Sequence, residues 1–193
     1  SHFGDMKLAF ELVDMAAEGG ADVFKTQFFD VEELFAARAQ EWRERLKPRN
    51  LTFDQAAQVA ERCRSRGLLF MSTAHDESRI PWLVDLDVPA IKVGSGERNN
   101  TPFLEKLAGL DDIARIRMIA LTWNFENEIG YPASGGSDKG LKPFGFELLR
   151  EMDRRGILAD VSPLNEAGFR DVVERAKLPP VASHSKSRRL AAR

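Results

Sequence analysis

Ile91-Lys92-Val93-Gly94-Ser95-Gly96-Glu97-Arg98-Asn99-Asn100 is the stretch whose reading decides the fold. An apolar run, Val88-Pro89-Ala90-Ile91, leads into Lys92. A turn of small residues, Gly94-Ser95-Gly96, follows, then Glu97 and two asparagines. The pattern describes a strand that delivers a cation, a hydroxyl, a carboxylate and bare backbone N–H groups to one place. Glycines admit an anion close to the backbone, and a lysine at the strand end neutralises it. Alone, a Gly-Ser-Gly turn after a strand says little. Two earlier strands, however, end in the same style, Phe24-Lys25-Thr26-Gln27 and Phe70-Met71-Ser72-Thr73. Three such ends, carrying Lys25, Gln27, Ser72, Thr73, Lys92 and Ser95, predict a polar floor over parallel strands. The carboxyl ends of barrel strands are where such sites sit.

Working outward, Leu8, Leu12, Val13 and Met15 fall at helical spacing up to Glu18, and Gly19-Gly20 stops that helix. A strand is predicted over Ala21–Gln27, a helix over Val31–Ala39, and a break at Lys47–Asn50. Thr52 or Asp54 caps a helix to Ser65, ended by Gly67, and a strand follows over Leu68–Thr73. Next come a helix over Glu77–Leu86, the strand Val88–Val93, and a helix over Thr101–Gly109 with Pro102 in its first turn. Beyond Leu110 the rhythm continues. A strand is predicted over Arg115–Thr122, a Gly-, Pro- and Ser-rich loop over Asn124–Lys142, and an amphipathic helix over Phe144–Arg155, stopped by Gly156. A strand over Ile157–Ser162, a helix over Asn165–Ala176 and a short strand over Val181–His184 complete the alternation, before a basic tail from Lys186. Leu148, Leu149, Met152, Phe169, Val172 and Val173 read as core faces. Trp123 reads as packing at a strand end. The alternation predicts an α/β fold with parallel strands and right-handed crossovers. About six βα units are visible, and 193 residues fall short of the roughly 250 of a full eight-stranded α/β barrel.

Hydrophobic residues are 43 % and charged residues 30 %, ordinary for a globular chain. A net charge of −2 gives no pull toward nucleic acid or an anionic membrane. The single cysteine, Cys63, has no partner for an internal disulfide and reads as incidental on a helix. Without a long apolar run or a signal peptide, the expectation is a cytoplasmic protein.

At these residues two resemblances appear. Residues 1–110 resemble the N-terminal half of the sialic acid (N-acetylneuraminate) synthase family. The matching pieces are His2-x-Gly4-Asp5-x-Lys7, Gly20-Ala21-Asp22-Val23-x-Lys25-x-Gln27, Phe70-x-Ser72-Thr73 and Pro89-Ala90-x-Lys92-x-Gly94-Ser95-Gly96-Glu97-x-Asn99-Asn100-x-Pro102. The resemblance implies a TIM barrel that condenses phosphoenolpyruvate with an N-acetylated amino sugar, using a divalent metal. It implies that Lys25, Thr73, Lys92 and Ser95, with Ser72 and Asn99 beside them, hold phosphoenolpyruvate or phosphate. Gln27 and Glu97 would face the substrate as catalytic residues. Residues 111–193 resemble the renal-type (membrane) dipeptidases. There the matching pieces are Leu121-Thr122-Trp123-Asn124, Asn127-Glu128, Gly140-Leu141-x-Pro143-Phe144-Gly145, Arg150-Glu151-Met152, Asp160-Val161-Ser162 and Pro180-Val181-Ala182-Ser183-His184-Ser185. That family's barrels hydrolyse dipeptides with two zinc ions, which makes His184 a metal ligand by resemblance. A second ligand is expected directly after Asp160-Val161-Ser162, where this chain has Pro163.

By these resemblances the chain reads as two half-barrels joined in phase, an α/β, partial or recombined (βα)8 TIM-type barrel of about six βα units with parallel strands, forming one structural domain. The divalent metal implied by resemblance (Mn, Mg or Zn) meets an incomplete ligand set, since catalytic zinc normally takes three protein ligands. Three functional readings stand. The first is a synthase-like barrel fragment that keeps a phosphoenolpyruvate or phosphate site. The second is a zinc dipeptidase-like hydrolase, and the third a non-catalytic recombined scaffold. For the lysines, the rival to anion binding is a solvated or ion-paired role. For Ser72, Thr73 and Ser95 it is a role in turns, and for Glu97 a salt bridge. Open sheet edges predict a homo-oligomer.

Overall fold

The computed structural model describes residues 2–110 and 115–184. These fall into two compact units, bounded as Ser1–Lys92 with Asn99–Arg115, and Val93–Arg98 with Ile116–Arg193. Strand and helix alternate in both, and the strand pairings described within each unit are parallel.

The first unit opens on helix α1 (Met6–Glu18). Asp5 caps it, its Oδ1 accepting from Lys7 N at 2.8 Å and Leu8 N at 3.2 Å. β1 (Val23–Phe28) follows, then the short α2 (Val31–Leu34) and α3 (Gln40–Leu46). The long helix expected over Val31–Ala39 stops at Leu34. Lys47–Arg49 is a single 3-10 turn. α4 (Phe53–Ser65) begins with a capping box. Gln55 N donates to Thr52 Oγ1 at 3.2 Å, and Thr52 N to Gln55 Oε1 at 2.9 Å. Past α4 the chain turns through Gly67 at φ +75°, left-handed backbone that a side chain resists. β2 (Leu69–Ala74) comes next, then α5 (Ile80–Asp85), β3 (Ala90–Val93) and α6 (Thr101–Ala108). The helix expected over Glu77–Leu86 divides into a 3-10 turn, Glu77–Arg79, and α5.

Buried Val13 of α1, Ala56, Val59, Ala60 and Cys63 of α4, and Phe28 and Phe70 of the strands form this unit's interior. Arg62 of α4 grips Asp14 of α1 with both Nε (2.9 Å) and Nη2 (2.6 Å). Burial pushes the Cys63 thiol up to about 11, so it is no thiolate nucleophile at neutral pH.

In the second unit β4 (Arg115–Ala120) pairs with β5 (Leu158–Asp160) in the register Met118↔Leu158, Ile119↔Ala159, Ala120↔Asp160. α7 (Pro143–Arg155) and α8 (Glu166–Arg175) follow their strands. Gly156 ends α7 at φ +70°. The core gathers Leu121, Ile129, Leu149, Met152, Val161, Leu164 and Val172. Two expected core residues of α8 are exposed instead, Phe169 and Val173. Gly168 and Val172 are the buried positions of α8, and its buried stripe is too narrow to take in Phe169 and Val173 beside them. Trp123 is also exposed rather than packed at the strand end. The strand expected over Val181–His184 reduces to one parallel bridge, Asp160↔Val181. Among the described residues no helix is long and apolar enough to cross a membrane.

Candidate functional site

Strand parity sorts the predicted residues of the first unit. Side chains alternate across a strand, and aligned residues of parallel neighbours share a face. The register pairs Lys25 with Met71, Thr26 with Ser72 and Gln27 with Thr73, while Ser72 pairs with Ile91. Lys25, Gln27, Thr73 and Lys92 therefore share one face, with Thr73 in the middle row between Gln27 and Lys92. Adjacent strands lie about 4.8 Å apart, so the three rows stand side by side with the two outer ones about 10 Å apart.

Ser72 is on the other face. It is fully buried, and its hydroxyl accepts from Thr26 Oγ1 at 3.1 Å. The fold thus does not bring it together with Lys25 and Lys92, and the reason is the two-residue period of the strand. Lys25 is half-buried and Gln27 exposed at the strand end, whereas Lys92 is 3 % exposed. Thr73 is 0 % exposed, and among the described residues its Oγ1 finds no hydrogen-bond partner. A buried hydroxyl without a partner carries a penalty of roughly 1–3 kcal/mol, so an orphan here marks a place where an acceptor or donor is wanted.

The ends of β1 and β2 are tied by Asp76, which sequence reading passed over. Its Oδ2 accepts from Asp30 N at 2.6 Å, and its Oδ1 from Ser78 Oγ at 2.6 Å and Arg79 N at 3.1 Å. Arg79 in turn reaches Asp30 Oδ2 at 2.9 Å. The signal was an Asp two residues before a Ser at a strand exit, a side-chain turn motif.

After β3 the chain forms a 3-10 turn, Ser95–Glu97. Arg98 Nη1 donates to Ser95 O at 2.5 Å, and Glu97 N to Gly94 O at 3.2 Å. Ser95 and Glu97 are half-buried. Asn99 is exposed, and it is Asn100 that caps α6, through Phe103 N at 3.4 Å. A side chain added at Gly96 would meet nothing within 4 Å. Close backbone approach therefore does not explain that glycine.

In the second unit the focus is Asp160, 0 % exposed at the end of β5. Oδ1 accepts from Ser162 N (3.2 Å), Ser162 Oγ (2.7 Å) and Ser183 N (3.2 Å), and Oδ2 from Ser183 Oγ (2.5 Å). Ser183 Oγ also lies 2.7 Å from His184 Nδ1. The hydroxyl has one proton, and it serves Asp160. The oxygen therefore accepts from Nδ1–H, which fixes the imidazole tautomer. His184 N donates to Ser162 Oγ at 2.8 Å. A carboxylate in the apolar run Leu158-Ala159-Asp160-Val161 was the available clue, because buried charges require partners.

Among the described residues no group of three or more His, Cys, Asp or Glu side chains is placed to hold a metal ion. Pro163 stands beside this network with no donor atom, and the Nδ1 of His184 is already engaged. The described residues do not fit a binuclear metal centre.

Comparison with known proteins sets these two regions in families. The NeuB family pattern matches residues 12–114, and the membrane dipeptidase (peptidase family M19) pattern matches residues 90–193. Over 121 residues the chain is 36 % identical to N,N'-diacetyllegionaminic acid synthase of Legionella pneumophila, covering 56 % of this chain and 34 % of that protein. It is 32 % identical over 120 residues to human N-acetylneuraminate-9-phosphate synthase, covering 56 % and 33 % respectively. The match thus spans about a third of the length of these curated relatives. Among solved structures, N-acetylneuraminic acid (sialic acid) synthetase from Leptospira borgpetersenii matches 90 % of this chain and 56 % of its own, with a TM-score of 0.65 at 22 % identity. A putative spore coat polysaccharide biosynthesis protein E from Chromobacterium violaceum matches 82 % and 55 %, with a TM-score of 0.58 at 14 % identity. At these identities the likeness establishes an α/β, barrel-type fold.

Proposed function

We propose, for a chain that belongs to the NeuB family across residues 12–114 and to the membrane dipeptidase family across residues 90–193, that its chemistry resides in the first unit. That unit carries an anion site of the sialic acid synthase type, which takes phosphoenolpyruvate or the phosphate group alone. The observation that carries the reading is the orphaned, fully buried Thr73 hydroxyl, sharing a strand face with Lys25, Gln27 and Lys92. Lys25 and Lys92 neutralise the anion, Thr73 donates its hydroxyl to an anionic oxygen, and Gln27, at the exposed end of β1, orients what lies above. Asn99, in the same unit, joins this set on the strength of family likeness. In the full reaction implied by that likeness, C3 of phosphoenolpyruvate attacks the aldehyde carbon of an N-acetylated amino sugar, the aldehyde oxygen takes a proton to become a hydroxyl, water adds at C2, and inorganic phosphate leaves to give the 2-keto acid. The dipeptidase reading lacks an observation of equal weight, because Pro163 replaces a ligand and His184 is held by Ser183.

The test is a thermal-shift and calorimetric titration with phosphoenolpyruvate on the full chain and on Thr73→Val and Lys25→Ala variants. A ligand that binds only the folded chain stabilises it by roughly 2.7 kcal/mol at about one hundred times its Kd. Expected is a saturable shift in the parent that weakens at least tenfold in each variant. No shift in the parent, or one unchanged in both variants, overturns the reading.

A further inference from the structure

The second unit holds a cleft of about 550 Å³ between α7 and the end of α8, with its own charge pattern. Its floor is apolar, formed by Phe146 and Leu149 three positions apart on one face of α7. Its rim is cationic. Arg150 and Arg154 stand one and two turns along α7, Arg175 closes α8, and Lys177 lies just past it. Asp153 also lines the cleft, but its carboxylate is taken up by backbone. Oδ2 accepts from Lys177 N at 3.0 Å and Oδ1 from Leu178 N at 3.2 Å. Those two bonds hold the chain after α8 against α7 and so set Arg175 and Lys177 over the floor.

Arg154 is paired with Glu151. Arg150, Arg175 and Lys177 make no ion pair among the described residues. Arg175 lies over the Phe146 ring, 5.7 Å from its centroid. This is a loose cation–π contact, and the guanidinium fork carries more N–H donors than such a contact uses, so it can also serve an acceptor. The cleft is within the roughly 300–1,000 Å³ range of small-molecule sites.

From this arrangement we infer that the cleft is a binding site for a small organic anion with an apolar body, and that an aryl phosphate monoester is the class that fits it. Guanidinium forks match phosphate oxygens in pairs, while Phe146 and Leu149 take the ring. The site is independent of the anion site on the first unit.

Isothermal titration of the full chain with phenyl phosphate, inorganic phosphate and phenol tests it. Phenyl phosphate should bind saturably, and in a Lys25→Ala/Thr73→Val background, where the phosphate site of the first unit is removed, inorganic phosphate and phenol should each bind at least tenfold weaker. An Arg150→Gln/Arg175→Gln variant, altered only at exposed positions, should lose at least tenfold in phenyl phosphate affinity with its melting temperature unchanged. A Lys25→Ala/Thr73→Val variant should bind phenyl phosphate as the parent does. Absence of binding, equal binding in the arginine variant, loss in the Lys25/Thr73 variant, or inorganic phosphate binding as tightly as phenyl phosphate in the Lys25/Thr73 variant would each overturn the inference.

Discussion

Two strand ends in this chain treat buried polarity in opposite ways. At the end of β2, Thr73 is buried with its hydroxyl unpaired, among side chains that sit on a shared face. At the end of β5, Asp160 is equally buried but is hydrogen-bonded by both the N–H and the hydroxyl of Ser162 and of Ser183. The first arrangement leaves a buried hydroxyl without a partner among the described residues, whereas the second is closed by the chain itself. Unmet polarity points to binding, and met polarity points to stability.

The largest effect expected from this contrast is at Asp160. Asp160→Ala strips four donors of their acceptor and should cost about 3 kcal/mol in urea unfolding. Asp160→Asn retains an acceptor at Oδ1 and presents an N–H to Ser183 Oγ, so the cost falls to about 1 kcal/mol. The Ser183 hydroxyl proton then turns to His184 Nδ1 and moves the imidazole proton to Nε2, a tautomer change visible in ¹⁵N chemical shifts. An unchanged tautomer would break the assigned direction of that bond.

Thr73→Val should have the opposite sign. It removes an orphan of similar shape, so unliganded stability should hold or rise by about 1 kcal/mol, while phosphoenolpyruvate affinity falls. A stability loss above about 1 kcal/mol would mean that Thr73 serves the fold, and the contrast between the two strand ends would collapse.

The smallest effects are in acid, from surface pairs. The guanidinium of Arg154, then that of Arg155, hold the Glu151 carboxyl down to about 2, from 4.5. Asp14 is lowered chiefly by its hydrogen bond to Arg62. Both carboxyls titrate lower in the folded chain than in the unfolded one. Their stabilisation is therefore complete above the unfolded values, near 4.5 and 3.8, and is lost as pH falls toward the folded ones. Glu151→Gln should flatten part of the melting-temperature decline between about pH 4.5 and 2, by a small amount because exposed pairs are screened. An identical decline in the variant would remove this pair from the acid response.

Much of the fold was legible because its signals are local. Capping by Thr52, the stops at Gly67 and Gly156, and Pro102 in the first turn of α6 are each encoded within a few residues. The same holds for the family likeness of each half, which rests on short runs such as Lys92-x-Gly94-Ser95-Gly96-Glu97. Errors came where neighbours decide. Phe169 and Val173 carry apolar side chains at helical spacing, yet α8 buries Val172 and leaves them outside, because the width of the buried stripe depends on what packs against it. The helix from Val31 ended early, at Leu34.

Residue types and their spacing were therefore enough to establish the α/β alternation and to nominate Lys25, Gln27, Thr73 and Lys92. Pairing between strands was needed to separate Ser72 from Thr73. Register alone puts adjacent residues on opposite faces of a sheet, and no property of either side chain reveals which face is which. Three-dimensional packing likewise left the Thr73 hydroxyl alone and closed the Asp160 network with Ser183, a residue 23 positions away in the chain. Hydrogen-bond satisfaction is a property of what the folded chain brings within about 3 Å, and such distances do not exist in an unfolded one.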